Sequence, residues 1–291
     1  MTATTVRGRA ALALVFNAFV WGVSWWPFRQ LQERGLHPLW TTAFVYAMAV
    51  GVITLVRPVS WRELLRTPAL WVILIGSGCT NAGFNWAVTT GDVVRAVLLF
   101  YLMPLWAVVL ARLLLHEALH AAALVRVAMA LSGALIVLKP PGGGWPLPQT
   151  LADALAIAGG FSFALNNVML RREAHRAEGA RALAMFLGGV LVAGTMAASL
   201  GPSHGVPWPG QPTAWLLPGF ALGAVFLLSN LALQYGASRL PAQVTSVVML
   251  TEVVFASVSA LALGGGELSA RVLAGGSLIV GAALLAAWTG R

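Results

Sequence analysis

The sequence predicts an all-α integral membrane protein of ten transmembrane helices, arranged as a five-plus-five inverted repeat with both termini in the cytoplasm. Three observations carry that expectation. The 291 residues have a mean hydropathy of +0.82, with 59% apolar and only 9% charged, against about a quarter charged in soluble domains. The apolar residues fall into ten runs separated by short polar or Gly/Pro breaks. The second half also repeats features of the first. Shifted by 149 residues, Asn81 falls on Asn230, Asn85 on Gln234, Trp86 on Tyr235 and Met103-Pro104 on Glu252-Val253.

The ten runs cover 10–28, 39–56, 69–88, 95–115, 121–138, 151–170, 182–200, 214–235, 244–263 and 272–288. The first follows a short basic N-terminus, as in a signal peptide. It contains Asn17 and ends in WWPFRQ rather than a small-residue cleavage site, so it reads as a mature helix. The longest breaks are 139–150 (KPPGGGWPLPQT) and 201–212 (GPSHGVPWPGQP). The first of these joins the halves, giving units 1–138 and 151–291 around a Pro/Gly-rich connection. Alternate sides of the helices collect Lys and Arg unequally: Arg29, Arg34, Arg95, Lys139 and Arg271 on one, the other thirteen of eighteen opposite. Basic loops stay in the cytoplasm, which places both termini there. Five helices per half is an odd number, so the second half enters the membrane from the opposite side. Shifted by 141, FVWGVSWWPF of the first helix overlays GFSFALNNVM of the sixth, placing Trp25 on Asn166. Glu117 and Glu267 correspond at the ends of the fourth and ninth helices. Two inverted halves that exchange conformations open a midplane site first to one side and then to the other.

Composition also excludes functions. The net charge of +9 is scattered at the ends of apolar runs, with no basic stripe interleaved with aromatics, so nucleic acid is not an expected partner. The single cysteine, Cys79, rules out an intramolecular disulfide and a cysteine metal cluster. No cofactor is implied: the Gly142–Gly144 run is followed by no GK[ST], so it is not a phosphate loop. An intramembrane protease needs a histidine beside its nucleophile or two deep carboxylates. His37, His116, His120, His175 and His204 all fall outside the helix interiors, and one carboxylate is deep. No enzyme is expected.

That deep carboxylate is Glu252, eight residues into the ninth run, about 12 Å along a helix and near the middle of a hydrocarbon slab about 30 Å thick. The other eight acidic residues fall in loops or near helix ends. An ionisable group at that depth faces protein, water or a substrate path. Glu252 reads as a counter-charge for an ammonium, as a proton carrier, or as a structural acid holding its helix. Asn17, Trp21 and Trp25 share one polar, aromatic face of the first helix, suited to a zwitterion with an aromatic side chain or to ordinary packing. Asn81 and Asn85, with Ser77 and Phe84, line the third helix, and Asn230 and Gln234, with Phe226, the eighth. Amides in membrane helices also serve as glue. Tyr46 and Tyr101 are polar aromatics at suitable depth, and Pro104 frees a backbone carbonyl near Tyr101. The candidate substrate site is therefore Asn17, Trp21, Trp25, Tyr46, Asn81, Asn85, Tyr101, Asn166, Asn230, Gln234 and Glu252, with Pro104 as a hinge.

The helix ends LARLLLHEAL (110–119) and LALGGGELS (261–269), and the run ALQYGASRLPAQVTSVVMLTEVVFAS (232–257), resemble the drug/metabolite transporter superfamily. Within it the chain is similar to the EamA branch and to YddG-type exporters of aromatic amino acids. The resemblance implies a multi-pass bacterial inner-membrane exporter of amino acids and of toxic organic cations. Ten helices can enclose a cavity in a monomer, whose expected partners are lipid and a small molecule. The first alternative to an amino-acid exporter is an exporter of another small metabolite or cationic drug; a channel or receptor is a further one, which saturable counterflow would exclude. One departure is that Pro104 has no counterpart in the ninth helix, where Val253 follows Glu252.

Overall fold

A computed structural model describes residues 3–116, 121–139, 145, 147–237, 239, 248–249 and 251–289, without the side chains of 3–7, 104, 122–123, 234, 237, 283 and 286–289. Glu117, Gly142–Gly144, Val244 and Arg291 lie outside the described residues, as do the side chains of Arg7, Pro104 and Gln234.

The chain runs through α1 (Ala3–Val23), α2 (Trp25–Glu33), α3 (Pro38–Val56), α4 (Val59–Arg66), α5 (Pro68–Thr90), α6 (Val93–Phe100) and α7 (Met103–Leu114). It continues through α8 (Ala121–Leu138), α9 (Leu151–Arg172), α10 (Glu178–Leu200), α11 (Pro212–Ala237), α12 (Thr251–Leu263) and α13 (Ala270–Thr289). Among the described residues, six segments are long and apolar enough to cross a membrane: Gly8–Glu33, Pro38–Val56, Val93–Leu114, Leu151–Arg172, Glu178–Leu200 and Pro212–Leu233. The protein is a multi-pass helical membrane protein. The 23-residue α5 is less apolar because it is the innermost helix, with Ser77, Thr80, Asn81, Asn85 and Thr89 buried along it.

Two expected helices are broken. The run 10–28 divides at Ser24, and 95–115 divides at Tyr101-Leu102. Each break lies two or three residues before a proline, Pro27 and Pro104. Proline has no N–H for the carbonyl four residues back and its ring crowds that carbonyl, so Val23 and Phe100 lose their helical donors. The Phe100 carbonyl instead lies against Gly160 of α9, where any side chain would strike it. A third difference is α4, an eight-residue helix between the second and third spans that the apolar runs do not reveal. Helix α3 is capped by His37, whose Nδ1 accepts from the Leu39 amide at 3.2 Å while its ring stands edge-on to Trp86. Burial pushes the His37 imidazole down to about 4, so it stays neutral in its capping role.

The cations sort onto two ends. Arg29 donates to the Thr89 and Gly91 carbonyls, Arg95 pairs with Asp153, and Arg271 donates to the Lys139 carbonyl, all at one end. Arg57, Arg62, Arg66 and Arg176 gather at the other, around α4 and the start of α10.

Helices approach closely where glycines meet. Gly78 and Gly188 join α5 to α10, Gly133 and Gly275 join α8 to α13, and Gly22 lies on the α12 backbone at Glu252. Without a hydrophobic drive between helices in lipid, such contacts supply the packing. A methyl at Gly188 would overlap the Leu74 carbonyl. Gly188→Ala is therefore expected to destabilise the protein by about 1–3 kcal/mol, measured by unfolding in detergent. At Gly194 a methyl would meet only the Ala43 methyl at 3.8 Å, so Gly194→Ala should stay within about 0.5 kcal/mol.

Candidate functional site

The break between α6 and α7 places Tyr101 beside the start of α12, where its buried hydroxyl donates to Glu252 Oε2 at 3.3 Å. A tight O–H···O bond is about 2.5–3.0 Å long, so this carboxylate is only loosely held. Among the described residues no other donor reaches it. The structure brings Tyr101 and Glu252, both candidates from the sequence, into contact.

Aromatic rings lead away from the pair. Phe100, next to Tyr101, lies 4.6 Å from Phe84 and 5.5 Å from Phe163; Phe84 lies 6.3 Å from Trp21; Trp21 stands edge-on to Phe226 at 4.9 Å. Gly22, next to Trp21, touches the Glu252 backbone. Trp21, Tyr101 and Glu252 thus come together around one apolar lining.

The other expected residues divide differently. Trp25 lies beyond the Ser24 break, donates from Nε1 to Ser259 Oγ at 2.9 Å, packs on Gly265 and carries Arg29 over its ring at 4.8 Å. It closes one end of the site rather than extending the Asn17–Trp21 face. Asn17, fully buried, donates to the carbonyl and hydroxyl of Ser229 on α11. Tyr46 donates to Asn81, and Asn85 donates to Thr42 at 3.0 Å, so these side chains join α3 to α5. Phe84, about 60° round the helix from Asn81, meets Trp21 of α1 rather than α3. Asn230 donates to the Phe226 carbonyl of its own helix. Asn166 is buried near Gly76. The acceptor oxygens of Asn17, Asn85 and Asn166 have no hydrogen-bond partner among the described residues.

The end beyond Trp25 is tied shut by contacts that sequence reading missed. Asp92 caps α6 by accepting from the Arg95 amide and also accepts from the Glu267 amide at 2.9 Å, while Val93 N–H donates to the Gly265 carbonyl. Arg95 grips Asp153 with two bonds, of 2.7 and 3.0 Å, and donates to the Val137 carbonyl. An Asp immediately before an apolar run was a legible N-cap signal. Its long-range partners were not.

These features define a class: a multi-pass helical membrane protein with a broken-helix, carboxylate-bearing interior. Residues 8–139 match the EamA-like transporter family. A Pseudomonas aeruginosa protein described as an uncharacterized transporter is 31% identical over 137 residues, covering 44% of this chain and 46% of that protein. The chain thus matches about half the length of this curated relative. A solved structure, described only as a crystal structure of a protein, is similar with a TM-score of 0.59 and 22% identity over 96% of this chain and 95% of that one. That likeness concerns the fold alone, and it extends over both halves.

The Asp153 side chain is 4% exposed and that of Arg95 24%. Breaking a buried pair leaves its partner uncompensated. Asp153→Asn should cost about 3 kcal/mol, the low end for such pairs because the guanidinium is partly wet. Unfolding in detergent reads this, and Arg95→Gln in the same chain should add far less than it costs alone.

Proposed function

We propose that the protein is a secondary transporter that exports amino acids, aromatic ones favoured, across the bacterial inner membrane by alternating access. The observation that carries this reading is the Tyr101–Glu252 contact at a helix break, beside the ring lining. An acid inside a membrane segment marks a substrate or ion path, and an ammonium is the cargo group it would meet. The match of residues 8–139 to the EamA-like transporter family and the transporter description of the relative support the class.

The helix contacts favour a five-plus-five inverted repeat of units 1–138 and 151–291. With the spans numbered one to ten, third on sixth has its counterpart in eighth on first, third on seventh in eighth on second, and first on ninth in sixth on fourth. Fifth on tenth and second on seventh map onto themselves. The residue register agrees. Offsets of 141 and 149 carry the Trp21–Phe226 contact onto Ser162 and Ser77, and Gly76, beside Ser77, faces the Ser162 carbonyl. The cation imbalance puts the Lys139 end outside, so the Trp25–Arg29–Asp92 closure seals the outer face.

In this cycle the cargo ammonium pairs with Glu252, displacing the loosely held Tyr101 hydroxyl. Its aromatic side chain rests among Trp21, Phe84 and Phe100, where each ring contact contributes roughly 0.5–1.5 kcal/mol. The unpartnered oxygens of Asn17 and Asn166 are further acceptors along the path. The site would be complete in one chain. Glu252 without a second deep carboxylate suits facilitation or exchange better than proton pumping.

The test is uptake of labelled phenylalanine, tryptophan and threonine by liposomes holding the purified protein, with and without a pH gradient. Saturable uptake is expected. Glu252→Gln should lower it at least about tenfold, because a charge-assisted bond is worth about 1.5–3 kcal/mol. Tyr101→Phe should raise KM only a few-fold. Transport of an organic cation and no amino acid would change the cargo assignment. Tight binding of a sugar phosphate with no amino-acid uptake would overturn the reading.

A further inference from the structure

Helix α4 and the start of α5 form a cleft of about 410 Å³ lined by Val59, Arg62, Glu63, Arg66, Thr67, Pro68 and Arg176. It lies at the end opposite the Trp25 closure, so the Tyr101–Glu252 site has no part in it. Arg176 is engaged by Glu173 at 3.2 Å, and Glu63 accepts from the Ala177 amide at 3.3 Å. Arg62 and Arg66 make no ion pair or hydrogen bond among the described residues.

The floor of the cleft is polar and unsatisfied. Thr67 stands at the N-cap of the 23-residue α5, is 7% exposed, and its hydroxyl caps nothing. The first turn of a helix leaves amides without intrahelical partners and carries partial positive charge. One of these, at Leu70, is answered by the Thr67 carbonyl; Pro68 has none to offer. An unused hydroxyl, a helix N-terminus and two free guanidinium groups converge on one cavity. A phosphate oxygen satisfies all three.

The rim says where such a phosphate comes from. Leu55, Val56, Val59 and Leu65 are exposed beside the arginines, at 85, 70, 77 and 64%. The indoles of Trp61 and Trp71 are each hydrogen-bonded by Nε1, to Thr54 Oγ1 and the Leu64 carbonyl, with Trp71 half exposed. Tryptophans of this kind sit at membrane–water boundaries. An amphipathic helix with cations on one side and bare aliphatic side chains on the other lies in that interface. A free phosphate would use the arginines and leave the aliphatic rim in water.

We propose that this cleft binds the headgroup phosphate of an anionic phospholipid, such as phosphatidylglycerol, with Arg62, Arg66 and Thr67 as its ligands and its acyl chains along Val59 and Leu65. Bound there, the lipid ties α4 to the ends of α3, α5 and α10. The site does not depend on the cargo assigned above.

The experiment is native mass spectrometry of the full chain titrated with phosphatidylglycerol or phosphatidylcholine, and with inorganic phosphate as competitor. Preferential retention of phosphatidylglycerol is expected, weakened at least about tenfold in the Arg62→Gln, Arg66→Gln double variant, since each interfacial cation contributes about 1 kcal/mol. Arg172→Gln, which removes a same-end cation outside the cleft, should change retention less than about twofold. Thr67→Val should weaken it with both charges intact. Should the double variant not fold, a phosphatidylglycerol carrying a photoreactive headgroup should label wild-type residues 62–68. Equal retention of both lipids, equal loss in Arg172→Gln, labelling confined elsewhere, or displacement by millimolar phosphate would each overturn the proposal.

Discussion

Hydrocarbon offers no hydrogen bonds, and every interruption of a helix within it must be answered by protein. Pro27 and Pro104 each remove a donor, and the chain responds with breaks at Ser24 and at Tyr101-Leu102 rather than with strained continuous helices. The second break turns Phe100 toward Gly160 and Tyr101 toward Glu252. The first separates Trp21, in the ring lining, from Trp25, in the closure above it. Two prolines thus set the boundaries of the interior.

The same constraint explains the spread of buried polarity. Asn81 and Asn85 find partners on α3, and Asn17 finds one on α11, whereas Glu252 has one long contact. Amides are cheap to satisfy locally and act as struts. A carboxylate with a single weak donor is costly in that setting, and it is the group whose environment a cargo would complete. At the closed end the balance is reversed: Asp92 and Asp153 are saturated by backbone amides and by the Arg95 fork. Rigid ion pairs hold one end while the middle stays under-coordinated.

Much of the fold was legible because membrane spans are read from composition and length, and those signals survive without an alignment. The cation imbalance needed no tertiary information. Helical spacing put Asn81, Phe84 and Asn85 near one another, but which of them meets α3 and which meets Trp21 depends on the helices packed on either side. The WWPFRQ end showed a proline, yet its break went unread because Trp25 continues the helical spacing. Helix α4 was missed since eight residues between two spans carry too short a period to stand out. The Arg95–Asp153 and Asp92–Glu267 links join residues 58 and 175 positions apart, and nothing local announces them.

The central claim is that the Glu252 region is reached from both faces of the membrane in turn. The most direct measurement places a cysteine at Val253, partly buried beside Glu252, in a chain whose only native thiol, Cys79, is replaced by alanine. A membrane-impermeant maleimide is applied to either face of oriented vesicles, with and without tryptophan. The account predicts labelling from both faces, slowed by tryptophan from each. Labelling from one face alone, at a rate that tryptophan leaves unchanged, would contradict it.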